Sequence, residues 1–176
     1  MASDLTFAEQ LIRFYGMIPL PVEGGFYRQT YRSSETIDKG FLPERYHEDR
    51  PYGTAIVYLY NTDADCFSAL HRLPSDEVYH FYLGDPVEML LLHPSGKTER
   101  VILGQDIFNQ QKVQFAVPRG VWQGSHLLTG GQFALMGTTM APGYTDSDYE
   151  GGQREELIRQ YPQETGLIRL LTRGAA

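Results

Sequence analysis

The sequence predicts an all-β protein, a closed or sandwiched sheet body with short helices at its two ends. Twelve Tyr and nine Phe among 176 residues favour strands, because aromatic side chains pack well on a pleated surface. About nine short strand-like segments follow one another at regular spacing, separated by turn-forming clusters of Pro, Gly, Asp and Ser. These segments are residues 26–32, 53–60, 65–72, 77–83, 87–93, 98–103, 112–117, 121–128 and 132–141.

The length of the chain predicts one domain, because 176 residues can bury a single sizeable core. We divide this domain, 1–176, into three parts. An N-terminal helix and extended arm occupy 1–22, a barrel occupies 23–143 and a helical tail occupies 144–176. A polar loop at 33–52 interrupts the strands, and loops this long are usually functional, mobile or part of a subunit contact.

Both ends of the chain carry helix signals. Thr6 with Glu9 three residues later predicts a capping box, and Gly16 predicts the end of the same helix. Near the C terminus, residues 153–161 and 167–171 predict two short helices separated by a proline.

Charge and cysteine content restrict the partners and the compartment. Fifteen basic against 22 acidic residues give a net charge of -7, and such a surface repels nucleic acid. A local basic pocket for one small anion stays possible. No apolar run approaches the ~18 residues of a membrane span. Cys66 is the only cysteine, so no intrachain disulfide can form, and we expect a cytoplasmic protein.

One region of the sequence carries part of a metal-binding motif. The pattern G-x5-H-x-H-x(3,4)-E-x6-G finds its first histidine at His71, its glutamate at Glu77 and its closing glycine at Gly84. The second histidine falls on Leu73 and the leading glycine on Asp65, so both of these positions are lost.

A second partial motif follows about 45 residues later. The pattern G-x5-P-x-G-x2-H-x3-N keeps Pro118 and Gly120, but its histidine falls on Gln123. Its asparagine falls on Leu127 and its leading glycine on Lys112. With both halves in order among nine strands, the chain resembles the cupin superfamily, in particular an uncharacterised single-domain branch, a domain of unknown function. The resemblance implies a double-stranded β-helix, or jelly-roll barrel, and commonly a homodimer.

Strand alternation predicts which side chains share the barrel interior. If Glu77 points inward then so does Tyr79, and on the neighbouring strand His71 points inward with Ala69 and Phe67. Gln123 and Ser125 share the inward face of a later strand. A bulge would exchange inward and outward sets.

This interior set is compatible with several functions. Two strong ligands and the weak amide of Gln123 rarely hold a transition metal, so we expect neither metal nor other cofactor. Without metal, His71 as base, Glu77 as orienting carboxylate and Tyr79 as acid resemble the sugar-nucleotide epimerases of the same superfamily. The alternatives are a metal-dependent, dioxygenase-like enzyme that uses His71, Glu77 and Gln123, and a non-catalytic structural, storage or sensor module.

The segment Glu23-Gly24-Gly25-Phe26-Tyr27-Arg28 is the second candidate region. Paired glycines permit positive φ or close approach of the backbone to a ligand. Arg28 offers a forked donor for an anion, and Arg72 and Arg32 could join it. Phe26 or Tyr27 could stack on a base or sugar, and Glu23 could accept from guanine. Together with Gln123 and Ser125, these residues predict a site for a polar anionic ligand, such as GDP or a nucleotide sugar.

The outward side of the Glu77 strand predicts self-association. Val78, His80 and Tyr82 would point outward, and this set is too apolar for a solvated sheet face. We therefore expect a homodimer that is built partly on this sheet.

Overall fold

The N-terminal helix has the boundaries that the sequence predicts. In the computed structural model, which describes residues 5–173, helix α1 spans Phe7–Tyr15. The Glu9 amide donates to the Thr6 hydroxyl at 3.2 Å, and the Glu9 carboxylate accepts from the Thr6 amide at 2.7 Å. Gly16 ends the helix, because glycine adopts the left-handed conformation found there, with φ of 60°, at little steric cost.

Nine strands of four or more residues form the body, and they coincide with the predicted segments apart from small differences at their ends. They are β2 (Phe26–Arg32), β5 (Thr54–Tyr60), β6 (Phe67–Arg72), β7 (Glu77–Gly84), β8 (Val87–Leu92), β9 (Thr98–Leu103), β10 (Gln114–Val117), β11 (Trp122–Leu127) and β12 (Ala134–Met140). Two-residue strands add to them, namely β1 (Ile18–Pro19), β3 (Thr36–Ile37), β4 (Arg50–Pro51) and β13 (Glu150–Gly151).

The strands form two antiparallel sheets that face each other. The six-stranded sheet has the order β1-β2-β5-β12-β7-β10, and the five-stranded sheet has the order β13-β6-β11-β8-β9. Strands β3 and β4 pair as a separate ribbon. Because the chain passes repeatedly from one sheet to the other, the architecture is a jelly roll, and the predicted fold class is confirmed.

The main hydrophobic core lies between the sheets, and two smaller clusters lie outside them. Helix α1 packs on the outer face of the six-stranded sheet, against Leu59 and Leu135. Two C-terminal helices, α2 (Arg154–Gln160) and α3 (Thr165–Leu170), pack against the outer face of the five-stranded sheet around Trp122. In the part of the chain that the structure describes, no helix is long and apolar enough to cross a membrane.

The polar loop between β2 and β5 is anchored to the segment that follows β12. Arg50 Nη1 lies 2.6 Å from Asp148 Oδ2, and both side chains are only 1% exposed. Arg50 also donates to the Thr145 hydroxyl. Glu48 accepts from the hydroxyls of Thr145 and Ser147 at 2.7 and 2.6 Å. These contacts fix both segments at one side of the barrel, where they form part of the wall of a cavity.

Candidate functional site: a polar cavity in the barrel

The barrel contains a cavity of about 690 Å³. Small-molecule sites commonly have volumes of this size. The aromatic side chains that line it are Tyr27, Tyr58, Tyr60, Tyr79, Tyr144 and Tyr149. The ionisable side chains other than tyrosine that line it are Glu23, Arg32, Glu48, His71, Glu77 and Asp146. Aromatic faces and ionisable groups therefore surround the same space.

Strand alternation accounts for the wall that β2 and β5 form. On β5, the side chains of Ile56, Tyr58 and Tyr60 are two residues apart, so all three point into the cavity. On β2, Tyr27 pairs with Tyr58 and Gln29 pairs with Ile56, and opposed residues share a face. Tyr27 and Gln29 consequently point inward as well.

A chain of buried hydrogen bonds connects the motif residues. His71 Nδ1 lies 2.8 Å from the Ala69 carbonyl oxygen, which can only accept, so Nδ1 carries the proton. Gln123 Nε2 lies 3.3 Å from His71 Nε2 and 2.7 Å from Glu77 Oε2. Its two N–H groups thus donate to the imidazole lone pair and to the carboxylate. In this arrangement the Nε2 lone pair of His71 faces the Gln123 amide.

Glu77 lies at the centre of this chain. Its Oε2 accepts from the Tyr79 hydroxyl at 3.2 Å and lies 4.0 Å from His71 Nε2. Burial raises the pKa of the Glu77 carboxyl, and the charge of Glu23 raises it further, while His71 and hydrogen bonds from neighbours act in the opposite direction. Burial, followed by the charges of Glu77 and Glu23, raises the pKa of the Tyr79 phenol well above its usual value. Tyr79 is therefore protonated at neutral pH, and Glu77 titrates closer to neutrality than a solvated glutamate.

A bulge changes the predicted inward set on β6. The β11–β6 register shifts between the Gln123–His71 pair and the Ser125–Ser68 pair. Ser68 and His71 line the cavity together, whereas Phe67, which simple alternation placed beside His71, packs outside under the C-terminal helices. The extra residue in the bulge reverses the alternation.

The Glu23-Gly24-Gly25 segment enters the barrel at close range. Gly24 and Gly25 have φ of 105° and 68°. A Cβ on Gly24 would meet the Phe67 carbonyl oxygen, and one on Gly25 would meet the Tyr58 ring. The glycines thus permit close approach to β6 and β5 of this chain, and the Tyr58 hydroxyl donates to the Gly24 carbonyl at 2.6 Å. This packing places the Glu23 side chain at the cavity wall.

The candidate residues fall into three groups by their position relative to the cavity. Glu23, His71, Glu77 and Tyr79 line the cavity. Gln123 and Ser125 are buried behind this lining, where Ser125 shares a 2.6 Å hydrogen bond with the Tyr60 hydroxyl. Phe26, Arg28 and Arg72 lie elsewhere.

The positions of these last three residues correct the expected anion site. Arg28 pairs with Val57 on the outer face of the six-stranded sheet, and Phe26 packs between the core and helix α1. Arg72 stacks over Trp122 at 4.6 Å and makes a two-fold hydrogen bond with Glu150, at 2.7 Å for each contact. Alternation and this ion pair therefore keep all three residues away from the cavity lining.

Several cavity residues were not predicted. On β5 the available signal was the pair of tyrosines two residues apart, Tyr58 and Tyr60, because the strand is otherwise apolar after its first residue. Tyr144 and Tyr149 carried no comparable signal, because they lie in the irregular segment after β12. Tyr149 stacks on His71 with ring centroids 5.3 Å apart, and burial raises the pKa of its phenol to about 12.

The motif positions do not form a complete set of metal ligands. Cupin ligands would come from His71, Glu77 and Gln123, but the amide nitrogen of Gln123 points at both stronger ligands and would have to give way to a cation. Leu73, at the fourth position, has no ligand atom. Among the described residues, no group of three or more His, Cys, Asp or Glu side chains is arranged to hold a metal. The donor set does not fit a transition metal in this arrangement.

Comparisons with known proteins identify the fold family. The family described as Cupin superfamily (DUF985) matches residues 9–151. The crystal structure of protein SO0799 from Shewanella oneidensis is similar with a TM-score of 0.82 and 31% identity, over 97% of this chain and 100% of that one. A hypothetical protein from Leishmania major has a TM-score of 0.84 and 27% identity, over 96% and 100% of the two chains.

A relative in yeast extends the comparison. The uncharacterized protein YML079W of Saccharomyces cerevisiae is 26% identical over 145 residues, which make up 78% of this chain and 71% of the yeast protein. The names of these three relatives state no ligand or reaction, so the inference of function depends on the cavity itself.

Proposed function

Because this chain belongs to the cupin superfamily (DUF985), we propose that its barrel cavity binds a small, hydroxyl-bearing molecule of sugar-like size. We further propose that His71, Glu77 and Tyr79 transfer protons on this molecule without a metal, in an isomerase or epimerase reaction. The observation that carries the proposal is the buried chain of hydrogen bonds from Ala69 through His71, Gln123 and Glu77 to Tyr79, which borders a 690 Å³ cavity.

His71 is the proposed base. The contact of Nδ1–H with the Ala69 carbonyl leaves the lone pair on Nε2, and the Gln123 amide must release this lone pair before it can accept a proton from the substrate. The C–H bond that it would deprotonate lies next to a carbonyl group of the substrate, because the resulting enolate is stabilised. Return of a proton to the opposite face gives the epimer.

Glu77 and Tyr79 support this proton transfer. The carboxyl of Glu77, whose pKa burial raises, is better matched to proton exchange near neutral pH than an ordinary glutamate. The phenol of Tyr79 donates to Glu77 in the resting site, and in the reaction it would turn this proton to the developing enolate oxygen. Gln123 holds the imidazole and the carboxylate in position, since its amide nitrogen donates to both.

A nucleotide or nucleotide sugar is the more specific form of this proposal. Its phosphates would need a positively charged partner. Of the residues that the structure describes, Arg32 is the one Arg or Lys side chain in the cavity lining. Glu48 and Asp146 also line the cavity, and these carboxylates oppose phosphate. The charge of the lining therefore favours a free sugar over its nucleotide diphosphate.

Isotope exchange tests the catalytic proposal. The purified protein is incubated in D₂O with aldoses, ketoses and their nucleotide-linked forms, and deuterium on carbon is measured by NMR. We expect exchange into at least one carbonyl sugar, and a loss of at least about a hundredfold in His71→Asn. His47→Asn, at an exposed histidine in the polar loop, is the matched control and should retain the rate. Binding without exchange in the wild type would instead favour the non-catalytic module.

We also propose that the protein is a homodimer. On the outer face of the six-stranded sheet, Tyr82 is 44% exposed and Tyr31 is 55% exposed. Val78 and His80, which lie on the same face, are half-buried. A second copy would cover this aromatic face. Light scattering should give a mass near twice 20.0 kDa, and Tyr82→Glu should lower it. A mass of 20.0 kDa at micromolar concentration contradicts the dimer.

A further inference from the structure

The charges of the cavity lining are predominantly negative. In the described part of the chain, four carboxylate residues line it, against one guanidinium, that of Arg32. The carboxylates are Glu23, Glu48, Glu77 and Asp146. Even with a protonated His71, the carboxylates outnumber the cations by four to two. A ligand that enters this cavity thus meets a negative potential.

The tyrosine hydroxyls make the cavity rich in acceptors as well. Tyr58 donates its hydroxyl proton to the Gly24 carbonyl, and Tyr79 donates to Glu77. The phenol oxygens of both residues retain lone pairs for a ligand, but their protons are already used. These two hydroxyls therefore offer acceptors to a ligand that supplies donors.

Glu23 is the carboxylate best placed to attract a cation. The Ser68 hydroxyl donates to Glu23 Oε1 at 2.7 Å and orients the carboxylate in the cavity wall. Within residues 5–173, Glu23 makes no ion pair with a basic side chain. Its charge acts across the cavity, because it raises the pKa values of Tyr79 and Glu77. A half-buried carboxylate without a counter-ion favours the binding of a positive group.

Six tyrosines line the same space, and Tyr27, Tyr144 and Tyr149 are the partly exposed ones, whose rings a ligand can contact. Aromatic faces attract organic cations, and they contribute more when the cation is shielded from water. A carboxylate beside several aromatic faces is suited to an ammonium group, which has several donors, a positive charge and no acceptor. A bare metal ion would gain little from the rings and would need additional strong ligands.

We propose that the ligand of this cavity carries a primary ammonium group, as an amino sugar does, and that Glu23 is its charge partner. This inference rests on the binding half of the proposed function and specifies the chemical class of the ligand. Phosphorylated and carboxylated molecules of the same size are excluded by the same carboxylates.

Calorimetry with paired ligands tests the inference. Glucosamine is compared with glucose, and ethanolamine with ethylene glycol, with glucose 6-phosphate as the anionic counterpart. We expect each amine to bind at least about tenfold more tightly than its hydroxyl partner, and the phosphate to bind least. In Glu23→Gln, which keeps an acceptor for Ser68, the preference for the amine should fall about tenfold while affinity for glucose is retained. Glu44→Gln, at an exposed glutamate outside the cavity lining, is the control and should behave as the wild type.

The outcomes separate this inference from the proposed function. Equal affinity for amine and hydroxyl partners, tighter binding of the phosphate, or an unchanged preference in Glu23→Gln overturns the ammonium inference. If neither amine binds with a Kd below about 10 mM, the ammonium inference is overturned as well. If glucose binds and exchanges deuterium while glucosamine does neither, the proposed function stands and the ammonium inference fails. If the amines bind through Glu23 and no sugar exchanges deuterium, the inference stands and proton transfer fails.

Discussion

Two parts of the barrel interior differ in what fills them. Along β8 and β9 the inward side chains are aliphatic and packed without access to solvent, as at Val87, Met89 and Leu91. Along β2, β5 and β6 the inward side chains enclose a cavity and include tyrosines, Ser68 and His71. The same alternation of strands thus builds a dry core in one part and a polar cavity in the other.

Because of this difference, the dry part should determine mainly the stability of the fold, and the cavity should determine mainly the binding of a ligand. In the dry part, each side chain contributes apolar area removed from water and close packing. In the cavity, the buried polar groups must satisfy one another, and Gln123 does this for both His71 and Glu77. Substitutions in the dry part should therefore change the free energy of unfolding, and substitutions in the cavity should change the ligand.

The largest effect is expected when the cavity is converted into a metal site. Leu73 lies two residues after His71 and lines the cavity, so Leu73→His places a second imidazole beside the first. Gln123→His replaces the amide donor between His71 and Glu77 with a nitrogen lone pair. The double variant should bind Zn²⁺ with a Kd of about 1 µM or tighter by calorimetry, since strong ligands then occupy all four motif positions.

The single variants and the wild type are the controls for the metal prediction. Leu73→His alone leaves the amide of Gln123 between the ligands, so we expect weaker binding. A wild-type protein that retains one metal per chain after dialysis against a chelator would contradict the metal-free interpretation of the site.

The next largest effect is expected when one leucine in each part of the interior is replaced by alanine. Leu91 is 1% exposed in the dry core, and Leu73 is 6% exposed at the cavity wall. Leu91→Ala should lower the free energy of unfolding by ~2–5 kcal/mol, because it creates a new void. Leu73→Ala only enlarges an existing cavity, so its cost should be at least about 1 kcal/mol smaller. Urea unfolding measures both, and equal costs would mean that the cavity wall is packed like the core.

The sequence predicted the framework more completely than the cavity. Strand positions and the ends of helix α1 followed from local signals, namely turn residues, period-two patterns and the pair Thr6 and Glu9. The inward positions of Glu77 and Tyr79 followed from alternation on an unbroken strand. Such signals act over a few residues, so one sequence is enough to detect them.

The prediction of the cavity failed where the direction of a side chain depends on pairing between strands that are distant in the sequence. The bulge opposite Gln123 and Ser125 depends on how two distant strands pair, and it moved Ser68 inward. The inward set of β2 depends on the pairing of Tyr27 with Tyr58, so Arg28 was assigned to the wrong face. No local pattern in residues 26–32 distinguishes these two assignments.

A smaller effect is expected in the pH dependence of stability, through the buried carboxyl of Glu77 in the cavity. Burial raises the folded-state pKa of Glu77 above its usual value of 4.5, so the folded protein holds this proton longer than the unfolded chain does. The stabilising contribution is fully present below about pH 4.5 and is lost as the pH rises through the folded pKa. We expect the free energy of unfolding of the wild type, minus that of Glu77→Gln, to fall as the pH rises from about 4.5, by roughly 1.4 kcal/mol per unit of pKa difference.

Urea unfolding from pH 4 to pH 8 checks this prediction, with Glu44→Gln as the exposed control. The difference between the wild type and the control should stay nearly constant over that range. A constant difference for Glu77→Gln as well would show that burial of this carboxyl does not affect its ionisation.

The smallest effect is expected at two neighbours on β2 that face opposite sides of the sheet. Tyr27 lines the cavity and Arg28 lies on the outer face, so they report on the two faces within one strand. Tyr27→Ala removes one aromatic face and should weaken the tightest-binding sugar or amine of the ligand panels by about two- to fivefold in calorimetry. Arg28→Ala should leave that affinity unchanged within about twofold, because its guanidinium lies outside the cavity. Loss of affinity in Arg28→Ala with retention in Tyr27→Ala would reverse the two faces and return the anion site to Arg28.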